Sequence, residues 1–342
     1  MPMRILYDGW PLAYDPLGAA AWHLRALLAM RDPEVTPVLA MPTEPQADQQ
    51  ELEVVYSHTH ARGDWEQHIL QRLAEQQQAA AIHSTALATS LFGKVPTLVS
   101  PAEVSGRGRG RLAEAQGRGG LARATILWPD DLPKPKFPGR LLAIPPTVHP
   151  EFNTSQRVVN KLSLPDEFLL VHGLPDEKNA LSLLESWTWA AASIGEFYPL
   201  VIVGLGEAIR GFVQARLPDF HIESSVRVLT DLPPQDLPSL YQAYTALVHI
   251  GQPLAWGNPL RNALACGKAI VAHREPHTEA IVGAAGYLIS AEDLRGFGAA
   301  MITVVVDEKA REKLEDAARK QAARWDAGAF KARLLEIYKD LN

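Results

Sequence analysis

The second half of this 342-residue chain repeats one pattern with little variation. A four- or five-residue apolar run is followed by a turn and then by a stretch of helical period. The runs Phe168–Val171, Leu200–Val203, Val226–Leu229, Ala246–Ile250 and Ala269–Ala272 read as strands. Between them, Asn179–Ala192, Glu207–Arg216, Leu237–Ala243 and Pro259–Cys266 read as helices. Continuous apolar strands alternating with helices predict a parallel sheet covered on both faces. Ligands of such sheets gather at the carboxyl ends of the strands. The residues after Val171, Val203, Val248 and Ala272 are therefore expected on one functional edge.

The first half follows the same α/β rhythm less regularly. Strands are expected at Met3–Tyr7, Val35–Ala40, Leu52–Tyr56, Ala79–His83, Thr97–Val99 and Arg140–Ile144. Gly9 and Gly18 bracket a loop. A helix over Ala19–Met30 carries Trp22, Leu24, Leu27 and Leu28 at helical spacing, and a second helix spans Asp64–Gln78. Pro129, Pro133, Pro135 and Pro138 mark turns. Pro145, Pro146 and Pro150 resist both helix and sheet and read as an interdomain linker. Two domains follow, 1–152 and 153–325, with a helical tail from Glu308 to Asn342. Residues 105–120 are rich in Arg and Gly. They read as a solvated connector or as a lid over a phosphate-bearing ligand.

Composition removes several function classes. The net charge of −6 offers no electrostatic grip on nucleic acid or anionic lipid. No apolar run reaches the length of a membrane span, and no leader peptide is apparent, so a cytoplasmic protein is expected. Cys266 is the single cysteine, which leaves no disulfide within the chain. His58, His60 and His68 lack a third ligand at suitable spacing, so no metal site is expected.

Six segments then occur in a telling order. They are Val171–Asn179, Leu200–Gly206, Asp236–Tyr241, Gly257–Pro259, Ala263–Ala272 and Thr278–Gly283. In order and spacing, residues 158–340 resemble the nucleotide-binding half of family 4 glycosyltransferases (glycosyl transferases group 1). The first half resembles the acceptor domain of that family at its opening strand with Gly18, at Ile82–Ser84 and at Val95–Val99. The resemblance implies a GT-B fold, with two Rossmann-like domains facing each other across a cleft. It implies a final helix, 326–342, that crosses back to the first domain. It further implies a nucleoside-diphosphate sugar bound by 153–325, an acceptor bound by 1–152, retaining hexose transfer, and no metal or cofactor.

The same alignment assigns residues. The Lys that stabilises the leaving diphosphate falls on Lys178, and its Arg partner on Gly173. Asn179, Gly204, Gly257, Asn258 and Asn262 fall on donor-binding positions. Gly257 and Asn258 precede a helix whose backbone donors suit a phosphate. The two glutamates of the family fall on Leu254 and Asn262, and its histidine on Ala102, followed by Glu103. The second glycine of the loop at Gly18 has become Ala20. Gly18, Glu103, His172, His249, His273 and Glu279 complete the expected lining of the cleft.

Leu254 offers no hydrogen bond to a sugar, whereas Asn262 still both donates and accepts. Two readings follow. One is a glycosyltransferase with an altered site. The other is a non-catalytic homologue that serves as a partner subunit or binds a nucleotide or glycan. A plain nucleotide-binding α/β protein fits the motif order least.

Overall fold

The computed structural model describes residues 2–44, 52–103, 119–155, 164–251 and 254–341. The chain divides into two compact units. The first comprises Met1–His149, Leu254–Gly257 and Asp326–Asn342; the second comprises Pro150–Pro253 and Asn258–Trp325.

In the first unit the described residues form a seven-stranded sheet, all parallel. Its order is β3-β2-β1-β4-β5-β6-β7. The strands are β1 Met3–Asp8, β2 Val35–Met41, β3 Glu53–Tyr56, β4 Ala81–Ser84, β5 Thr97–Val99, β6 Thr125–Pro129 and β7 Arg140–Ile144. The strand order reverses between β1 and β4, which makes their carboxyl ends a crevice. Buried Asp8 fixes that point. Trp10 N and Trp65 Nε1 donate to its Oδ1 at 3.1 and 2.8 Å, and Ser84 Oγ donates to its Oδ2 at 2.8 Å. Trp65 opens a turn of π-helix, Trp65–Ile69, inside a helix over 62–76.

Two expectations change here. Residues 10–14, expected in a loop, form a short helix whose first turn holds Pro11, where a missing N–H costs nothing. Pro129, expected at a turn, closes a fully buried strand, Thr125–Pro129, to which the sequence reading assigns no element. Its proline is the last residue of the strand, opposite Ile144 of β7.

In the second unit the described residues form a six-stranded parallel sheet in the order β10-β9-β8-β11-β12-β13. Its strands are β8 Leu169–His172, β9 Leu200–Val203, β10 Val226–Val228, β11 Ala246–His249, β12 Ala269–His273 and β13 Gly286–Ile289. The order reverses between β8 and β11. The sequence reading stops short of β13 and of helices Pro276–Val282 and Leu294–Val306. On one face the helices Glu177–Ile194 and Leu294–Val306 bury Leu183, Trp187, Phe297 and Met301 against the strands. Trp187 Nε1 donates to Ser225 Oγ at 3.0 Å, so the indole is buried without an orphan donor.

Helix Ala327–Leu341 belongs to the first unit. Phe330, Leu334, Ile337 and Tyr338 recur on one helical face and are buried. Lys331 pairs with Asp32 at 3.0 Å and Lys339 with Glu34 at 2.7 Å. Beneath the helix runs a buried polar chain. Tyr7 Oη meets Tyr338 Oη at 3.0 Å, and Tyr338 Oη meets His83 Nδ1 at 2.6 Å. His83 Nε2 and His23 Nε2 then share Ser100 Oγ at 2.8 and 2.9 Å.

Candidate functional site

Three neighbouring strands of the second unit each end in histidine. His172 closes β8, His249 closes β11 and His273 closes β12. All three are buried. Burial, reinforced by His273 and then His172, pulls the His249 imidazole down to about 4. Burial likewise lowers His273, whose ring stands edge-on to Phe297. Both are neutral near pH 7, each with one donor and one acceptor nitrogen. His172 Nδ1 lies 2.7 Å from Tyr241 Oη. The Tyr241 phenol is pushed well above its ordinary range by burial and by Cys266, with Asn262 opposing. Gly173 and Gly204 turn the backbone sharply off β8 and β9, with φ of +74° and +71°. Gly173 N donates to Val203 O at 2.8 Å. Only glycine takes that conformation without cost, and it leaves the edge bare of side chains.

The remaining expected donor positions are spread more widely. Lys178 is exposed in the first turn of helix Glu177–Ile194. Asn179 is committed locally, since its N and Nδ2 both donate to Asp176 Oδ1, at 2.9 and 2.7 Å. Asn258 caps helix Pro259–Ala265, its Oδ1 accepting from Leu260 N at 2.9 Å. One backbone donor that the sequence left for a phosphate is therefore already used. Asn262 is buried in that helix beside Tyr241, and its Nδ2 has no partner among the described residues. Glu279 faces solvent and pairs with Arg274 at 3.5 Å.

In the first unit the segment Leu254–Gly257 is built into the carboxyl side of the sheet. Leu254 forms an antiparallel bridge with Glu103, and Ala255 N donates to Ala102 O at 2.8 Å. Trp256 is fully buried. It stacks on His23 with ring centres 4.7 Å apart, and its Nε1 donates to Leu127 O at 3.0 Å. Gly257 has φ +61°, and a Cβ there would overlap the carbonyl oxygen of Ala19. Gly18 precedes helix Ala19–Ala29, and a Cβ on it would strike the Asp15 carboxylate. A hollow of about 240 Å³ opens alongside, lined by Trp10, Tyr14, Asp15, Ala20, Arg62 and Glu103 among others. Crowding by protein raises the Asp15 carboxyl, while the Gly18 backbone and Arg62 act in the opposite direction.

The structure thus brings His172, Tyr241 and Asn262 together, and separately Ala102, Glu103 and Leu254. The bridge from Leu254 to Glu103 sets a carboxylate directly across from the apolar residue. Asp15, Tyr241, Trp256 and the chain from His23 to Tyr338 escape the sequence reading. Tyr241 lay inside a quoted motif, but nothing local marks its hydroxyl as the partner of a histidine 69 residues away. His60 bonds Tyr14 Oη at 3.0 Å and His68 bonds Asp64 at 3.1 Å. Among the described residues no group of three side chains assembles to hold a metal. Residues 105–118 lie outside those described.

Residues 152–321 match the family model described as Glycosyl transferases group 1. Over those residues the chain resembles the group 1 glycosyl transferases. Solved structures extend the likeness over both units. Sucrose-phosphate synthase from Thermosynechococcus elongatus is 15% identical, with a TM-score of 0.73 over 99% of each chain. Anabaena HepE in complex with UDP-glucose is 15% identical, with a TM-score of 0.75 over 99% of this chain and 100% of that one. A glycosyltransferase from Rickettsia africae is 12% identical, with a TM-score of 0.71 over 99% and 98%. No curated protein matches the sequence. The chain therefore has the GT-B fold, with two Rossmann-like parallel sheets. Among its described residues no helix is long and apolar enough to cross a membrane.

Proposed function

We propose that this protein is a glycosyltransferase with an altered active site. Its donor is a nucleoside-diphosphate sugar held on the carboxyl edge of the second sheet. It transfers a hexose with retention and without a metal ion or cofactor, to a glycan or small-molecule acceptor held by the first unit. The observation that carries the reading is the row His172, His249 and His273 at the point where the strand order reverses. His249 and His273, held neutral by burial, are fixed donors in a desolvated site for the charge that develops on a departing diphosphate. Gly173 and Gly204 leave room for close approach, and Lys178 supplies a cation at the adjoining helix start. Glu103 supplies a carboxylate across from Leu254.

UDP-glucose, which HepE holds in its structure, is the first donor to test by calorimetry, followed by GDP- and ADP-sugars. Saturable binding is expected for one of them, weakened about tenfold or more by His249→Ala. Release of the nucleoside diphosphate should proceed unchanged in EDTA. Failure of every donor to bind at millimolar concentration would remove the proposal.

One observation favours a second reading, a non-catalytic homologue that binds a nucleotide or glycan or serves as a partner subunit. Leu254 is tied by backbone to the first unit and Asn262 is an amide, so neither position presents a carboxylate. Under that reading a donor binds but no product forms in a single-turnover assay at high enzyme concentration.

A further inference from the structure

The amino ends of the strands in the second unit form the edge opposite the histidine row. There a polar hollow of about 170 Å³ is lined by Thr154, Ser155, Gln242, Lys268, Glu315 and Arg319, among others. Lys268 leads directly into β12. Its ammonium lies 5.5 Å from the ring centre of Tyr244. Desolvation is the main influence on that ammonium and lowers its pKa, with Glu315 and Cys266 acting the other way. Among the described residues none accepts a hydrogen bond from it or forms an ion pair with it. A largely desolvated cation left in this state calls for an anion.

The neighbours of Lys268 are arranged to receive one. Gly267 has φ +68°. A Cβ built on it would meet Arg319 Cγ at 3.2 Å, Arg319 Nη1 at 3.4 Å and Thr154 Cγ2 at 3.4 Å. The guanidinium, the threonine and the lysine thus converge on a position kept bare by glycine. Arg319 Nη2 is held by Asp316, which fixes the guanidinium and leaves Nη1 toward the glycine. Two cations beside hydroxyl donors suit a tetrahedral oxyanion. The hollow also holds acceptors. Gln242 is buried; its Nε2 donates to Glu151 O at 3.2 Å, and its Oε1 has no partner among the described residues. Among the described residues of the lining Glu315 is the one carboxylate. Acceptors next to an anion site suit hydroxyl groups carried by the same ligand.

We propose that this hollow binds phosphate, either free or as the head of a small hydroxylated ester, at a site separate from the carboxyl edge. The test is calorimetric titration of the full chain with inorganic phosphate and with glycerol 3-phosphate at constant ionic strength. Saturable binding of at least one is expected, weakened about tenfold or more by both Lys268→Met and Arg319→Gln. Tighter binding of the ester, lost selectively in Glu315→Gln, identifies the esterified source; equal binding identifies the free ion. The Arg319 side chain is about half exposed, at 49%, so Arg319→Gln should fold even if the buried-lysine variant does not. Absence of saturable binding, unaltered affinity in Arg319→Gln, or displacement of phosphate by UDP would each overturn the proposal.

Discussion

At the residue scale, two positions carry demands that their neighbours cannot relax. Gly257 combines a left-handed backbone with a carbonyl oxygen where a side chain would begin. Gly257→Ala must shift either the segment or the start of helix Ala19–Ala29. It is expected to cost about 2–4 kcal/mol, read from the urea midpoint. Asp8 accepts three hydrogen bonds while buried. Asp8→Asn keeps Oδ1 for both tryptophan donors but turns Nδ2 on the Ser84 hydroxyl, which must reverse from donor to acceptor. It also removes the buried charge from these bonds, and should cost about 1–2 kcal/mol in the same measurement.

This is also the scale at which the sequence was least transparent. Gly257 was legible as a motif glycine and Asn258 as the residue before a helix. Their actual work, a close approach to Ala19 and a cap on Leu260, depends on contacts between distant segments. His172, His249 and His273 were legible as strand ends because strand length and position were legible. Tyr241, whose hydroxyl lies 2.7 Å from His172 Nδ1, was not.

At the element scale, the final helix shows how amphipathic pattern and buried chemistry cooperate. Its apolar face alone predicts docking against something apolar. What makes the docking specific is Tyr338, whose hydroxyl meets both His83 and Tyr7. Tyr338→Phe keeps the ring and removes the link. A loss of about 1–3 kcal/mol is expected. Amide exchange should accelerate first in residues 327–341, since a foldon loosens where its contacts are cut.

Strands β8, β9, β11 and β12 were readable because each is a short apolar run closed by a turn. Thr125–Pro129 was not, because its proline and those after it gave a turn signal stronger than five residues of strand pattern. Gly286–Ile289 begins with glycine and is only partly buried, so its period is faint.

At the scale of the whole molecule, histidines buried in neutral form make stability depend on acid. Burial brings His83 to about 3 and His149 to about 4, and it lowers His23, His249 and His273 as well. In the unfolded chain they titrate near 6.5. Between those limits the unfolded state binds more protons than the folded one, so stability rises with pH. It should be fully present above about pH 6.5 and fall steadily as the pH drops toward 3. Urea denaturation across that range checks the sign. A flat profile would mean that the buried imidazoles open to solvent before they charge. The polar chain from His23 to Tyr338 and the three strand ends both lie behind this slope, one in each unit.

The first unit is assembled from three separated pieces of chain, 1–149, 254–257 and 326–342. Trp256 and Tyr338, which complete its interior, arrive long after its strands. On a ribosome the half that is made first is therefore the half that is finished last. Its nascent sheet must wait, with His23 and His83 uncovered, while the entire second unit is synthesised. A fragment ending at 149 should accordingly express as an aggregate, and peptide 326–342 alone should not rescue it, because Trp256 would still be missing. Solubility of that fragment by itself would show that the later pieces are ornament to a unit already complete.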